Sequence, residues 1–228
     1  MKFEVKDIVK KLIIAAIFGI SYTILFSTVE KVIDGTSSYW ITTIPPDYKI
    51  PFIPGFIFGY ISWFVFMGIS LIYVLFFDSE RFYPYAIYVI GTFMFTYVFC
   101  FMVPNGLDLR PTNYEELIKS PFIRSLYDWL WSTDTPTNVL PSVHVLGSIG
   151  VAFLFTTSKK FSKTKPLIVA LSWVWALVII LSTIFTRQHS ILDVIVSMTE
   201  AFIVFYPIFI LYPKHRQKRL EKKDKEAH

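Results

Sequence analysis

Residues 166–213 read PLIVALSWVWALVIILSTIFTRQHSILDVIVSMTEAFIVFYPIFILYP. Residues 166–186 contain no Asp, Glu, Lys or Arg, and 194–213 contain only Glu200. Between them lies a short polar segment, Arg187-Gln188-His189-Ser190. Crossing a bilayer takes about 20 consecutive apolar residues, so this stretch reads as two membrane spans joined by a turn. A histidine beside such spans is an expensive choice, and one sits in that turn.

Residues 12–29, 50–77, 82–107 and 135–158 are likewise free of Asp, Glu, Lys and Arg. The 228-residue chain is 54% hydrophobic and only 17% charged, against about 25% charged in a soluble domain. Its mean hydropathy is +0.53. The expected fold is therefore an all-α membrane protein, a single domain over 1–213 with six transmembrane helices in a bundle. The spans fall at about 12–29, 55–77, 85–103, 142–158, 166–185 and 189–212. A basic tail, 214–228, follows. The net charge of +5 flanks the spans, so it reads as topogenic charge instead of a nucleic-acid footprint, and no nucleic-acid partner is expected. A lone cysteine, Cys100, rules out an intrachain disulfide. No CxxC or HxxxH pattern points to a bound metal or other cofactor. The first run lacks a small-residue cleavage site and is read as a retained span.

Orientation follows from Lys and Arg. With the N-terminus inside, sixteen of them fall on the inner side and six on the outer: Lys31, Lys49, Arg110, Lys119, Arg124 and Arg187. By the positive-inside rule both termini are cytoplasmic. The outer loop 30–54 is interrupted by Pro45, Pro46, Pro51 and Pro54, and carries Tyr39, Trp40 and Tyr48 for the headgroup layer. The outer loop 104–141 contains Arg110-Pro111 and an interfacial helix. Asn113 is its expected cap, Leu117, Phe122, Leu126, Trp129 and Leu130 lie mostly on one face, and Pro121 breaks it in two.

This topology puts Arg110, Pro141-Ser142-Val143-His144 and the 187–193 segment on one side, at the extracytoplasmic ends of spans four and six. His189 and Asp193 are four apart, within reach on one helical face. The Asp can accept from one imidazole nitrogen and leave the other as nucleophile or base. Pro141 can open a helix whose free N–H groups, with the Ser142 hydroxyl, form an anion site near His144. Arg110 and Arg187 offer forked donors for phosphate oxygens. Each residue also has a plain structural reading: a packed imidazole, Arg187 as an interfacial anchor, Ser142 as a helix cap, Asp193 as a partner for Arg187. Glu200, seven residues after Asp193, projects to nearly the same face. It reads either as paired with a neighbouring hydroxyl or as setting site polarity.

The spacing of these residues resembles the type 2 phosphatidic acid phosphatase superfamily, which includes sphingomyelin-synthase-like transferases. The family's motifs are Lys-x6-Arg-Pro, Pro-Ser-Gly-His and Ser-Arg-x5-His-x3-Asp. Here Pro141-Ser142-Val143-His144 matches the second with Val143 for Gly. Ser182-Thr183-x5-His189-x3-Asp193 matches the third with Thr183 for Arg. Arg110-Pro111 keeps the end of the first, while Val103 stands at the Lys position.

The resemblance implies that His189 attacks phosphorus, oriented by Asp193, to give a phosphohistidine, and that His144 protonates the leaving alkoxide. It further implies that Arg110, Ser142, the backbone at Val143 and Arg187 bind the phosphate, with no metal. The implied activity is dephosphorylation of a membrane lipid phosphate or pyrophosphate. The alternatives are a headgroup phosphotransferase and a non-enzymatic lipid-binding or transport protein. The low cysteine content and the Lys, Ile and Phe usage are compatible with a bacterial plasma membrane.

Overall fold

The computed structural model describes residues 5–34, 38–160 and 163–226. Lys2, residues 35–37 of the first outer loop, 161–162 of the basic inner loop and 227–228 of the tail lie outside the described residues.

The uncharged runs fold as helices: α1 (Val5–Asp34), α2 (Ile57–Phe76), α3 (Phe82–Met102), α6 (Val143–Thr157), α7 (Lys165–Phe185) and α8 (Ile191–Phe205). Two short helices, α4 (Tyr114–Leu117) and α5 (Pro121–Thr133), lie in the 104–141 loop, and α9 (Tyr212–Glu226) closes the chain. Five helical segments are long and apolar enough to cross a membrane: Val5–Val32, Pro54–Phe76, Ser79–Met102, Lys165–Phe185 and Ile191–Lys222.

The fourth expected span is the short one. At 15 residues, α6 is about 22 Å long, less than the roughly 30 Å of a bilayer's hydrocarbon core. It stands at the centre, packed on α2, α3, α7 and α8. Every residue from His144 to Phe155 is buried. Small residues on α6 permit this enclosure. A Cβ built on Gly150 would lie 2.3 Å from Tyr88 Cε1, and the Tyr88 hydroxyl donates to the Leu146 carbonyl at 2.9 Å. Substituting Gly150→Val is therefore expected to overpack the α3–α6 contact and destabilise the bundle by about 1–3 kcal/mol. Unfolding in detergent micelles would measure it, with Gly91→Ala on α3, whose added Cβ meets nothing within 4 Å, as the near-neutral control.

The two ends of the bundle differ in chemistry. At one end, Lys11 on α1 bonds Asp7 at 2.5 Å and the Ser79 hydroxyl. Beside it Ser158 Oγ donates to Asp78 at 2.5 Å. Arg81 donates to the Phe209 carbonyl at 3.2 Å, and Arg216 lies 4.8 Å over the Tyr83 ring. At the other end the loops are knitted together. Strand β1 (Trp40–Ile41) pairs in parallel with β2 (Asn105–Gly106), and Gly106 bridges to Thr137. The basic segments thus share one end, opposite the segments holding His144 and His189.

Several local expectations are corrected. Asn113 makes no side-chain cap. Ser120 caps α5 instead, accepting from Ile123 N–H, with Pro121 as the first helical residue, where its missing donor is harmless. The face of α5 that packs inward carries Tyr127 and Leu130, joined by Ile118 against Ile57 and Tyr60. Phe122, Trp129 and Leu117 point out instead. The last helix continues past the expected span end near 212, through a π-helical turn (Tyr206–Leu211) into α9. Pro213 lacks the N–H that would reach Phe209, and Arg81 takes that carbonyl. The basic tail is helical over Tyr212–Glu226.

Candidate active site

Ser142 caps α6, its hydroxyl accepting from Val145 N–H at 3.4 Å. Its own N–H donates to Ser197 Oγ at 2.6 Å, and that hydroxyl donates to the Asp193 carbonyl at 2.6 Å. The start of α6 is thereby tied to α8. Among the described residues, no hydrogen bond uses the N–H of Val143 or His144.

After α7, Arg187 turns the chain with φ of 60°. The N–H groups of Gln188 and His189 both donate to the Thr183 carbonyl, at 3.0 and 3.1 Å. Ser190 and Asp193 then form a reciprocal capping box: Ser190 Oγ accepts from Asp193 N–H at 3.2 Å, and Asp193 Oδ2 accepts from Ser190 N–H at 2.8 Å. His189 therefore precedes α8 instead of sharing its face. The cap still brings His189 Nδ1 within 3.6 Å of Asp193 Oδ2.

The two histidine rings lie 6.0 Å apart by centroid, on the wall of a cavity of about 240 Å³. Both are buried, and among the described residues His144 Nε2, His189 Nδ1 and Asp193 Oδ1 have no hydrogen-bond partner. Buried polar atoms left unpaired cost free energy; both histidines line the cavity, and Asp193 lies behind His189.

Tyr60 and Trp63 on α2 were not anticipated. Their rings pack on His144 at 4.3 and 4.7 Å. The Tyr60 hydroxyl donates to Asp134 Oδ2 at 2.9 Å and lies 3.5 Å from His144 Nδ1. Each histidine is thus backed by a carboxylate, Asp193 directly and Asp134 through Tyr60. Aromatic residues are common in the spans, and none of these stands out without its partner.

The two arginines differ. Arg110 reaches the cavity's edge, donating to Gln188 Oε1 at 2.8 Å and the Asp134 carbonyl at 2.7 Å. Burial lowers its pKa from the ordinary arginine value, and the Asp134 charge opposes that shift. Gln188, beside His189, lines the cavity; its place inside the motif was the available signal. Arg187 turns away, donating to the carbonyls of Asp47 at 2.8 Å and of Ile50. It pairs with neither His189 nor Asp193. The Asp47 carboxylate accepts from Ile191 N–H at 2.8 Å, so this contact clamps the outer loop onto the start of α8. Of the other anion-site candidates, Val143 lines the cavity and Ser142 lies behind it. Glu200 is not on the cavity wall and bonds no hydroxyl; its Oε2 is unpartnered among the described residues.

The extended segment before α6 is held by Asn105, fully buried. Its Oδ1 accepts from Val139 and Leu140 N–H at 3.0 and 2.9 Å, while Nδ2 donates to the Val103 and Leu140 carbonyls at 2.9 and 3.2 Å. Asn105→Ala would orphan these groups and is expected to destabilise the protein by about 2–5 kcal/mol, since each buried unpaired group costs roughly 1–3 kcal/mol. Thermal unfolding in micelles measures the loss.

Membrane-length helices enclosing a paired-histidine cavity at one end define a helical membrane protein with a buried polar site. The profile of the PAP2 superfamily matches residues 82–217, more than half of the chain, and the chain belongs to that superfamily. Its members are phosphatases or phosphotransferases, and membership supports phosphatase-type activity on lipid phosphates in general. A search of curated proteins and of solved structures finds no match. The matched segment contains both histidines and Asp193 but not α1 or α2, which supply Glu30, Tyr60 and Trp63.

Proposed function

We propose that this protein hydrolyses a membrane lipid phosphate through a phosphohistidine at His189, on the extracytoplasmic face. The carrying observation is the pair of histidine rings 6.0 Å apart on one cavity, with Asp193 Oδ2 3.6 Å from His189 Nδ1. Attack needs about 3–3.5 Å between reacting atoms and proton transfer about 2.6–3.2 Å, so the reading places the phosphate in the cavity that both rings line.

In the first step His189 Nε2 bonds to phosphorus and the bond to the lipid alkoxide breaks. The leaving oxygen takes its proton from His144. In the second, water gives a proton to His144, attacks phosphorus and breaks the P–N bond, releasing phosphate. Asp193 holds His189 Nδ1, and Tyr60 positions His144. The N–H groups of Val143 and His144 at the start of α6 meet the phosphate oxygens, with Arg110 supplying charge through Gln188. Ser142 and Arg187 serve by fixing the helix starts. No step calls on a metal.

A second reading, transfer of a headgroup phosphate to an alcohol, is favoured by the cavity's charge. Glu30 and Asp134 line it, and among the described residues no Lys or Arg does. Two carboxylates suit a phosphodiester monoanion better than a phosphomonoester dianion. The test is purified protein with phosphatidate, phosphatidylglycerol phosphate and polyprenyl pyrophosphate, and with a diester donor plus lipid alcohol, each in chelator. Free phosphate supports hydrolysis; headgroup transfer without phosphate release supports the second reading. Neither product from any pair sinks both.

A further inference from the structure

One end of the histidine cavity is built to accept hydrogen bonds. Tyr22, Phe26 and Glu30 fall at four-residue intervals on α1, one face of the helix, and all three line the cavity with Thr96 and Tyr97 of α3. Glu30 is buried. Its Oε1 accepts from Asn138 Nδ2 at 2.7 Å, and its Oε2 from Thr135 N–H at 3.1 Å and from the Thr135 hydroxyl. An ionised carboxylate offers about four lone-pair sites, so capacity for a further donor remains. No salt bridge among the described residues reaches Glu30.

Two further acceptors lining the cavity have no partner among the described residues. Thr96 Oγ1 is buried at 1% exposure and unbonded. Asn138 spends its NH2 on Glu30 and Thr137, which leaves Oδ1 unpaired. Its φ of 59° is a left-handed conformation that few side chains other than Asn adopt. Around these acceptors stand the rings of Tyr22, Phe26 and Tyr97, with Tyr22 and Tyr97 edge-on at 5.4 Å.

We infer that this end of the cavity is a subsite for a primary ammonium group, so that the lipid it takes carries an aminoalkyl phosphate headgroup. Carboxylate, amide oxygen and hydroxyl each accept one N–H of an –NH3+ group, and aromatic faces stabilise its charge. A quaternary ammonium would satisfy the charge but leave Thr96 and Asn138 unpaired. A hydroxyl headgroup would leave the Glu30 charge unpaired. The subsite deepens the phosphate-handling reading, since the phosphate then lies between the histidines and the amine at Glu30.

The test is native mass spectrometry of the full chain in micelles with equimolar phosphatidylethanolamine, phosphatidylcholine, phosphatidylglycerol and phosphatidate, alongside turnover of each. Wild type is expected to retain phosphatidylethanolamine about tenfold or more over the others, the range of a charge-assisted hydrogen bond. Glu30→Gln should remove that preference while phosphatidylglycerol binding holds or rises. Glu30 also ties the 135–138 loop to α1, so Thr96→Val is the second variant, expected to reduce the preference several-fold in a folded protein.

Equal retention of all four lipids, or a preference for phosphatidylcholine or phosphatidate, overturns the subsite. So does a preference that both variants keep. If the Glu30-dependent preference holds but no lipid is turned over, the subsite stands and the phosphoryl-transfer reading fails. If phosphatidate alone is bound and hydrolysed, the reverse is true.

Discussion

His189→Ala is expected to lower lipid-phosphate turnover by about 10⁴-fold or more, the scale of removing a nucleophile from a site that acts as a unit. In the proposed mechanism this imidazole carries the covalent intermediate. The other ring on the cavity, His144, stands 6.0 Å away and is backed by Tyr60 instead of Asp193. Wild-type protein quenched in alkali after exposure to lipid labelled in its phosphate should carry protein-bound label that acid removes. His189→Ala should carry none, with the same elution from size exclusion as wild type. Unchanged phosphate release by a folded His189→Ala would end the proposal, as would label that survives acid.

His144→Ala should behave differently. Losing a general acid costs about 10²- to 10⁴-fold when the leaving group needs its proton, as a lipid alkoxide does. A p-nitrophenyl phosphate ester leaves without that proton. With such an analogue the variant should give a stoichiometric burst of nitrophenol near the wild-type rate, then stall, because water still needs a base at His144. An equal loss in the burst phase for both leaving groups would show that His144 is not the acid. Tyr60→Phe is informative beside it. The Tyr60 oxygen donates to Asp134, so it can accept only from a protonated His144 Nδ1.

Much of this arrangement was legible in the chain. Uncharged runs bounded by Lys and Arg define helices because a bilayer tolerates no unpaired backbone and few charges. The runs 166–186 and 194–213 accordingly became α7 and the α8-to-α9 helix. His144, His189 and Asp193 were legible because their residue types and local spacing match two of the family's motifs, and the structure brings the two rings to one cavity. Local reasoning failed where a partner came from elsewhere. Asn113 precedes α4 as expected but makes no side-chain cap, whereas Ser120 caps the next helix, α5. Arg187 looked like a phosphate ligand because it neighbours His189, but its φ of 60° directs it to the carbonyls of the 45–50 turn. Glu200 was read as paired with a hydroxyl or as setting site polarity, and among the described residues it bonds no hydroxyl and is not on the cavity wall.

The sequence by itself determined that the chain crosses a membrane several times, which ends collect its positive charge, and which histidines meet. Those properties follow from composition and short-range spacing. Tertiary structure alone decided what surrounds the histidines. Glu30 lies 105 residues from Thr135, Tyr60 lies 84 from His144, and Arg110 lies 78 from Gln188. A carboxylate at the end of a span, or a tyrosine within one, is unremarkable in sequence. Burial against a specific partner distinguishes it, and that burial is set by how α1 packs on α3 and how α2 packs on the short central helix α6.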